Sequence, residues 1–341
     1  MAILITIIGF GIMIFLHELG HFITAKRFGV LVHEFSIGMG PKIFSFGKGE
    51  TKYSLRLLPL GGFVKLEGEN DLEENDNPRS FSNLKPLKRI VVLFSGAFMN
   101  ILLGFLIFTF INMQTGVTPS KVKGIPEELA SKQVNFQVGD EIIKLNDTRT
   151  HAFKDVSLYM SRYDKETIDV TIERDGKTVF IDDAKLIKTE SGYKLGVLFG
   201  AEDASLLKSA EYAVYDTGFI SKSVVLAVSD LITGRESINS LSGPVEIVAV
   251  VDNVTSEENQ NEYTYLTVLM FFAAISVNLG IFNLIPFPAL DGGSILFALY
   301  ELITRKKVKS EIVGYASLIG FALLMILAVF VTAGDVMALF K

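Results

Sequence analysis

The chain has 341 residues, no Cys, no Trp, a formal net charge of -6 at pH 7 and a mean hydropathy of +0.40. Its length accommodates two domains with connecting material, the missing Cys excludes disulfides, and the acidic balance gives no footing for nucleic acid as a partner. Charged residues make up 21% of the chain but are absent from 1–16, 90–120, 263–290 and 312–334, which excludes an ordinary soluble protein.

A bilayer core about 30 Å thick needs about 20 apolar helical residues. Three of those runs reach that length outright, and the first reaches it by continuing through His17 to Ala25. Transmembrane helices are therefore predicted at 1–25, 88–113, 263–293 and 312–334. No Lys or Arg precedes the first apolar run, so it reads as a retained span and not as a cleavable signal peptide.

After the first span, residues 29–66 alternate like strands at 35–41, 53–57 and 63–66, with Gly pairs and Pro59 between them. This predicts a β-hairpin layer beside the membrane; extended backbone at that depth must be satisfied by protein or by a water-filled cavity, so the layer should line something. Residues 67–86 form an acidic cytoplasmic loop, with 67–76 as its solvated tip. Beyond the second span, residues 117–200 form a small domain with strands near 138–146 and 168–173 and turn chemistry at Asn146-Asp147 and Asp175-Gly176. An amphipathic connector follows at 205–260, interrupted by Lys222, and reads as lying along the outer membrane surface, not as a fifth span.

Orientation follows from the basic residues beside the spans. Lys26 and Arg27, then Lys85, Lys88 and Arg89, then Arg305, Lys306, Lys307 and Lys309 mark three cytoplasmic junctions, whereas Asp252, Glu257, Glu258 and Glu262 precede the third span. Both termini and the segment 117–262 are accordingly expected outside.

The first span contains His17-Glu18-Leu19-Gly20-His21, an H-E-x-x-H motif. Positions i and i+4 share one helix face, so both imidazoles can reach one Zn²⁺ while the intervening Glu reaches its water. Chance supplies this spacing in roughly 0.005 of chains of this composition, and ionisable groups within a span are costly enough to mark function. A catalytic zinc site needs a third protein ligand. His33 and His151 are candidates, but the better one is Asp291: Pro286 and Pro288 break the third span, and Gly292-Gly293 allow close approach, so a carboxylate can turn inward. Topology alone brings both motifs toward the cytoplasmic side, since His17 lies about 24 Å along the first helix. Asn100 and Asn283 could bond unwound substrate or the developing oxyanion, with helix-to-helix bonding the alternative for Asn100. Gly96 and Gly104 read as close helix packing.

The segments 138–146 and 170–177 resemble the strand pair of a bacterial PDZ domain. Taken with H-E-L-G-H, the run Asn283 to Gly293 (N-x-x-P-x-P-x-L-D-G-G), Leu58-Pro59-Leu60-Gly61-Gly62-Phe63-Val64 and Leu241-Ser242-Gly243-Pro244-Val245, the chain is similar over nearly its whole length to the site-2 protease family, in its bacterial RseP-type branch. The resemblance implies a polytopic α-helical membrane protein with four transmembrane helices, a cytoplasmic-side membrane-reentrant β layer and an extracytoplasmic PDZ-like α+β domain. It implies a zinc metalloprotease of a bacterial inner membrane, with His17, His21 and Asp291 as ligands, Glu18 as catalytic base, and substrate contacts at Asn283, Asn100, Gly61, Gly62, Pro286 and Pro288. Implied substrates are single-span membrane proteins such as anti-sigma factors, or remnant signal peptides, trimmed first by another protease. One PDZ-like unit fits, where some members carry two. The rival readings are a catalytically silent PDZ-containing membrane adaptor and a transporter; the intact motif argues against the first and the absence of an inverted repeat against the second.

Overall fold

The computed structural model of the chain describes residues 1–47, 49–69, 76–127, 135–190, 192–237, 243–256 and 261–338. Helix α1 (Ala2–Arg27) leads into strands β1 (Val32–Phe46) and β2 (Lys52–Leu66), followed by α2 (Pro86–Thr115). Then come β3 (Val122–Gly124), β4 (Glu141–Leu145), β5 (Thr148–Arg149), α3 (Phe153–Met160), β6 (Thr167–Arg174), β7 (Lys177–Lys185), β8 (Ile187–Thr189), β9 (Gly192–Lys194) and β10 (Leu198–Phe199). Five helices complete the order: α4 (Leu206–Thr233), α5 (Pro244–Thr255), α6 (Thr264–Asn283), α7 (Asp291–Thr304) and α8 (Ser310–Ala338). The chain divides into two compact units, Met1–Gly104 with Ile220–Lys341, and Phe105–Phe219. Four helices are long and apolar enough to cross a membrane, at Ala2–Arg27, Pro86–Thr115, Thr264–Asn283 and Ser310–Met337. They fall on the four apolar runs of the sequence, but the third ends at Asn283, short of the expected 293, because the prolines that follow break the helix.

In the first unit, α1 stops where the sequence supplies a left-handed residue. Gly29 (φ +82) follows Phe28, its N–H donates to the Lys26 carbonyl at 3.0 Å and that of Val30 to the Ala25 carbonyl at 3.0 Å. These are the paired bonds of a Schellman ending, and Lys26 and Arg27 in the last turn complement the helix dipole. The chain is thereby turned straight into β1.

Both strands of the hairpin are long and bent, so each contributes two segments. Glu34 pairs with Lys65 on one side and Lys52 on the other, and Phe46 pairs with Tyr53. The layer therefore runs 62–66, 32–37, 52–56, 42–46 across the sheet, with 62–66 on one edge. Gly61 (φ +101) makes the bend within β2, where an L side chain would be strained and a Cβ would meet Met39. Val32, Phe35, Val64 and Leu66 pack with Ala25 and Val30 of the α1 end and with Val92 and Leu93 of α2, which fixes the layer against both helices.

Arg56 ties the layer together internally. Its guanidinium donates to Glu34 Oε1 (2.9 Å), Ser36 Oγ (3.0 Å) and the Gly40 carbonyl (2.7 Å), and lies 4.9 Å over the Phe63 ring. Burial pushes the Glu34 carboxyl up, but hydrogen bonds from Ser54, Arg56 and Lys42 outweigh it and hold the group at about 2. A carboxyl lowered on folding stabilises the fold above its ordinary range and loses that contribution as pH falls toward the folded value. The melting-temperature difference between wild type and Glu34→Gln is thus expected to be full at neutral pH and to shrink progressively between about pH 4.5 and pH 2. A difference that stays constant across that range would reject the ion pair as its source.

The second unit is α+β. Its main sheet is antiparallel with order β5-β4-β6-β7. Ile168, Val170 and Ile172 alternate inward from β6 and join Ile142, Leu145 and Ala184 in a fully buried core. Asn146 (φ 48) stands in the two-residue turn between β4 and β5, and Asp175 (φ 51) with Gly176 (φ 73) joins β6 to β7, so the turn chemistry read from the sequence sits at strand reversals. Asp140, 1% exposed, accepts two bonds from Arg174 and one from the Gln137 N–H.

Candidate metal centre

Helix α1 presents His17 and His21 on one face, and α2 crosses that face closely. Two glycines permit the crossing: a Cβ on Gly20 would come 2.3 Å from the Ser95 carbonyl oxygen, and one on Gly96 would come 2.3 Å from His21 Nε2 and 2.9 Å from His17 Cε1. Gly104, two turns along α2 from Gly96, lies closest to Val277 and the Ala273 carbonyl of α6. Packing therefore accounts for Gly104, whereas Gly96 clears space for the two imidazoles, a role its spacing in the sequence does not reveal.

The His21 ring is held by its Nδ1–H, which donates to the Val92 carbonyl at 2.8 Å. That bond fixes the tautomer and leaves the Nε2 lone pair facing His17 Nε2 at 3.2 Å.

Asp291 reaches the same point from the other end of the unit. After α6 ends at Asn283, Leu284 to Leu290 form a tight turn containing Pro286 and Pro288, with Ala289 in left-handed backbone (φ 80). The turn folds back so closely that a Cβ on Gly292 would come 2.3 Å from the Ile285 carbonyl oxygen, and one on Gly293 would come 2.4 Å from that of Phe287. Asp291 then opens α7 with its Oδ2 3.4 Å from His17 Nε2 and 3.4 Å from His21 Nε2.

Two imidazole nitrogens and a carboxylate oxygen thus face one another with edges of 3.2, 3.4 and 3.4 Å. Asp291 Oδ2 is buried and has no hydrogen-bond donor. A cation among these atoms would be held by all three. Zn–N and Zn–O bonds of about 2.0–2.2 Å in a tetrahedral site put ligand atoms about 3.3–3.5 Å apart, so the donor set and its spacing fit zinc. No other described group of His, Asp or Glu has this arrangement.

Glu18 lies beside the pair and against β2. A Cβ on Gly62 would come 3.2 Å from Glu18 Cγ and 2.9 Å from the Ser36 carbonyl oxygen, so glycine at that position lets the edge strand run alongside the carboxylate. Asn100 is 2% exposed on α2; its carbonyl accepts from Ser276 Oγ at 2.8 Å and its Oδ1 is buried without a partner. Asn283 is the last residue of α6, and its side chain makes no hydrogen bond among the described residues.

Elsewhere, His33 contacts the Glu67 carboxylate, and Glu67 also accepts from Asn77, so His33 is not gathered with His17 and His21. His151, in the second unit, stacks on Tyr215 with centroids 4.8 Å apart. Within the acidic stretch, Glu69 departs from the expected solvated character. Glu69 lines a cavity of about 520 Å³ together with Asp291, and burial pushes its carboxyl up to about 7; residues 70–75 lie outside the described residues.

Residues 5–327 match the family model described as Peptidase family M50. The chain belongs to peptidase family M50. It is 36% identical to a protein of Clostridium acetobutylicum whose name assigns it as a zinc metalloprotease, over 98% of this chain and 97% of that one. It is 30% identical to the zinc metalloprotease RasP of Shouchella clausii, over 97% and 98%, and 29% identical to RasP of Geobacillus kaustophilus, over 99% and 98%. This M50 peptidase is accordingly a multi-pass, site-2-type zinc metalloprotease. Family membership sets aside the silent adaptor and the transporter.

Proposed function

We propose that this M50 peptidase cleaves peptide bonds within the membrane, using zinc held by His17, His21 and Asp291 and Glu18 as general base. The observation that carries the reading is the triangle of His17 Nε2, His21 Nε2 and Asp291 Oδ2, each atom 3.2–3.4 Å from the others, inside a helical unit apolar enough to lie in a bilayer. When bound, the metal supplies Lewis acidity that makes water a competent nucleophile near neutral pH.

The protein's own groups do the rest. Glu18 takes the proton from the attacking water and returns it to the leaving amine. Asn283, with its free carboxamide at the broken end of α6, donates to the carbonyl oxygen of the unwound substrate, and Asn100 stands as the second such candidate. A substrate helix hides its carbonyls, so it must unwind before cleavage. The segment 62–66 is an edge of the β layer and passes Glu18 at Gly62, so an extended substrate adds to that edge, with Gly61 and Gly62 leaving room for it and Pro286 and Pro288 shaping the opposite wall.

The preferred substrates are single-span segments already trimmed by another protease: anti-sigma factors or remnant signal peptides. In this reading residues 117–200 are a PDZ-like domain outside the cell that screens substrates by size or by carboxyl terminus. The termini share that side, and the catalytic centre lies toward the cytoplasmic face of a bacterial inner membrane.

Purified protein is expected to contain one zinc per chain and to cut a tagged, ectodomain-trimmed single-span substrate. Chelation should remove zinc and cleavage together, and added Zn²⁺ should restore both. Cleavage that persists in protein shown by elemental analysis to be free of zinc would reject the proposal.

A further inference from the structure

The C-terminal end of α7 carries four cations within five residues: Arg305, Lys306, Lys307 and Lys309. Arg305 adopts left-handed backbone (φ 58) and its N–H donates to the Glu301 carbonyl at 2.9 Å, which turns the chain sharply out of the helix. Two acids flank the cluster in sequence: Glu311 makes no ion pair among the described residues, and Glu301 is already engaged. Its carboxylate pairs with Arg89 of α2 and accepts the Val308 N–H at 2.9 Å, with side-chain exposures of 13% for Arg89 and 8% for Glu301. Among the described residues Arg305, Lys306 and Lys307 have no ion-pair partner.

These three cations line a groove of about 600 Å³ together with Ser82, Leu84 and Pro86, at the entry to α2, and with Glu301, whose charge Arg89 already balances. Leu302 (45%) of α7 lines the groove, and beside it the helix exposes Leu296 (52%), Leu299 (38%) and Ile303 (79%) at i, i+3 and i+7, an apolar stripe on the adjoining face. The helix has 14 residues, so it is about 21 Å long, enough to traverse roughly one leaflet of a bilayer. A cationic groove at the end of an apolar lane of that length matches one ligand chemistry, a negatively charged phosphodiester with attached acyl chains.

We propose that this groove binds the headgroup of an anionic phospholipid, with its acyl chains lying along Leu296, Leu299 and Ile303. Charge complementarity selects the headgroup, and the stripe distinguishes a lipid from a free anion. The location matters for the enzyme. Ser82, Glu301 and Lys307 border both this groove and the 520 Å³ cavity that reaches Asp291, so the bound headgroup stands at the mouth of the cavity leading to the metal centre.

The test uses the full chain in phosphatidylcholine nanodiscs doped with palmitoyl-oleoyl phosphatidylglycerol, with retained lipid counted by native mass spectrometry after transfer to detergent. Wild type is expected to keep one phosphatidylglycerol per chain in preference to phosphatidylcholine. The triple variant Arg305→Gln/Lys306→Gln/Lys307→Gln should lose retention roughly tenfold or more, and Lys307→Gln alone about threefold, which serves if the triple variant folds poorly. Arg27→Gln/Lys52→Gln/Lys65→Gln removes as many charges outside the groove and should retain the lipid. Equal retention by wild type and the groove variants, or equal loss in the two triple variants, would overturn the proposal, the latter by showing diffuse attraction. Displacement of the lipid by equimolar inorganic phosphate or glycerol 3-phosphate would overturn the lipid assignment in favour of a free phosphate site.

Discussion

Glu18→Gln is expected to retain one zinc per chain while cleavage falls by roughly 10²–10⁴-fold, the usual contribution of a positioned general base. Gln preserves the length and shape of Glu, so the contact between this side chain and Gly62 of the edge strand survives. It cannot accept a proton from water. The three converging atoms belong to His17, His21 and Asp291, so removing the Glu18 charge leaves the proposed ligand set intact. Asp291→Ala provides the contrast, because it removes one corner of the triangle and should lose zinc and turnover together. Single-turnover cleavage read on gels, paired with elemental analysis of the same preparations, separates the two. Loss of zinc in Glu18→Gln would make Glu18 a ligand, and unimpaired cleavage would remove it from the chemistry.

Much of this arrangement could be read from the sequence because it depends on local rules. His17 and His21 share a face through the 3.6-residue repeat, and the four spans announce themselves by their lack of charge. Asp291 could be placed because two prolines and two glycines force a tight reversal, and topology limits which end of the unit that reversal can occupy. What stayed hidden depends on long-range register or on packing at a single atom. The order 62–66, 32–37, 52–56, 42–46 in the β layer arises because each strand bends and pairs twice, which alternation alone does not encode. Arg56 looks like a surface cation in a strand, yet it bonds Glu34, Ser36 and the Gly40 carbonyl, pairing with a carboxylate inside the layer. Glu69 looks like part of a hydrated acidic tip and instead lines the cavity beside Asp291. The pair Arg89 and Glu301 joins residues 212 positions apart, and neither position carries a local signal for it.

Gly96 is the sharpest case of such hidden information, and it yields the second large expected effect. Gly96→Ala adds one methyl group, yet that carbon would lie 2.3 Å from His21 Nε2 and 2.6 Å from His21 Cε1. The His21 ring cannot swing clear cheaply, because its Nδ1–H is bound to the carbonyl of Val92, one turn before Gly96 on the same helix. Relief must come from a rotated imidazole or a displaced α2, and either moves Nε2 out of the 3.2–3.4 Å triangle. Zinc affinity should therefore fall roughly 10–100-fold, the scale seen when the support of a ligand is disturbed, with cleavage lost in parallel at subsaturating metal. Gly104→Ala is the matched control on the same helix. Its nearest contact is Val277 Cγ2 at 2.4 Å, so it should cost about 1–3 kcal/mol of stability by overpacking while zinc affinity is unchanged. Competition against a fluorescent zinc chelator measures the affinity, and circular dichroism melts measure the fold. Equal zinc affinity in Gly96→Ala and wild type would mean that the imidazoles tolerate the added carbon, and Gly96 would then revert to a packing residue like Gly104.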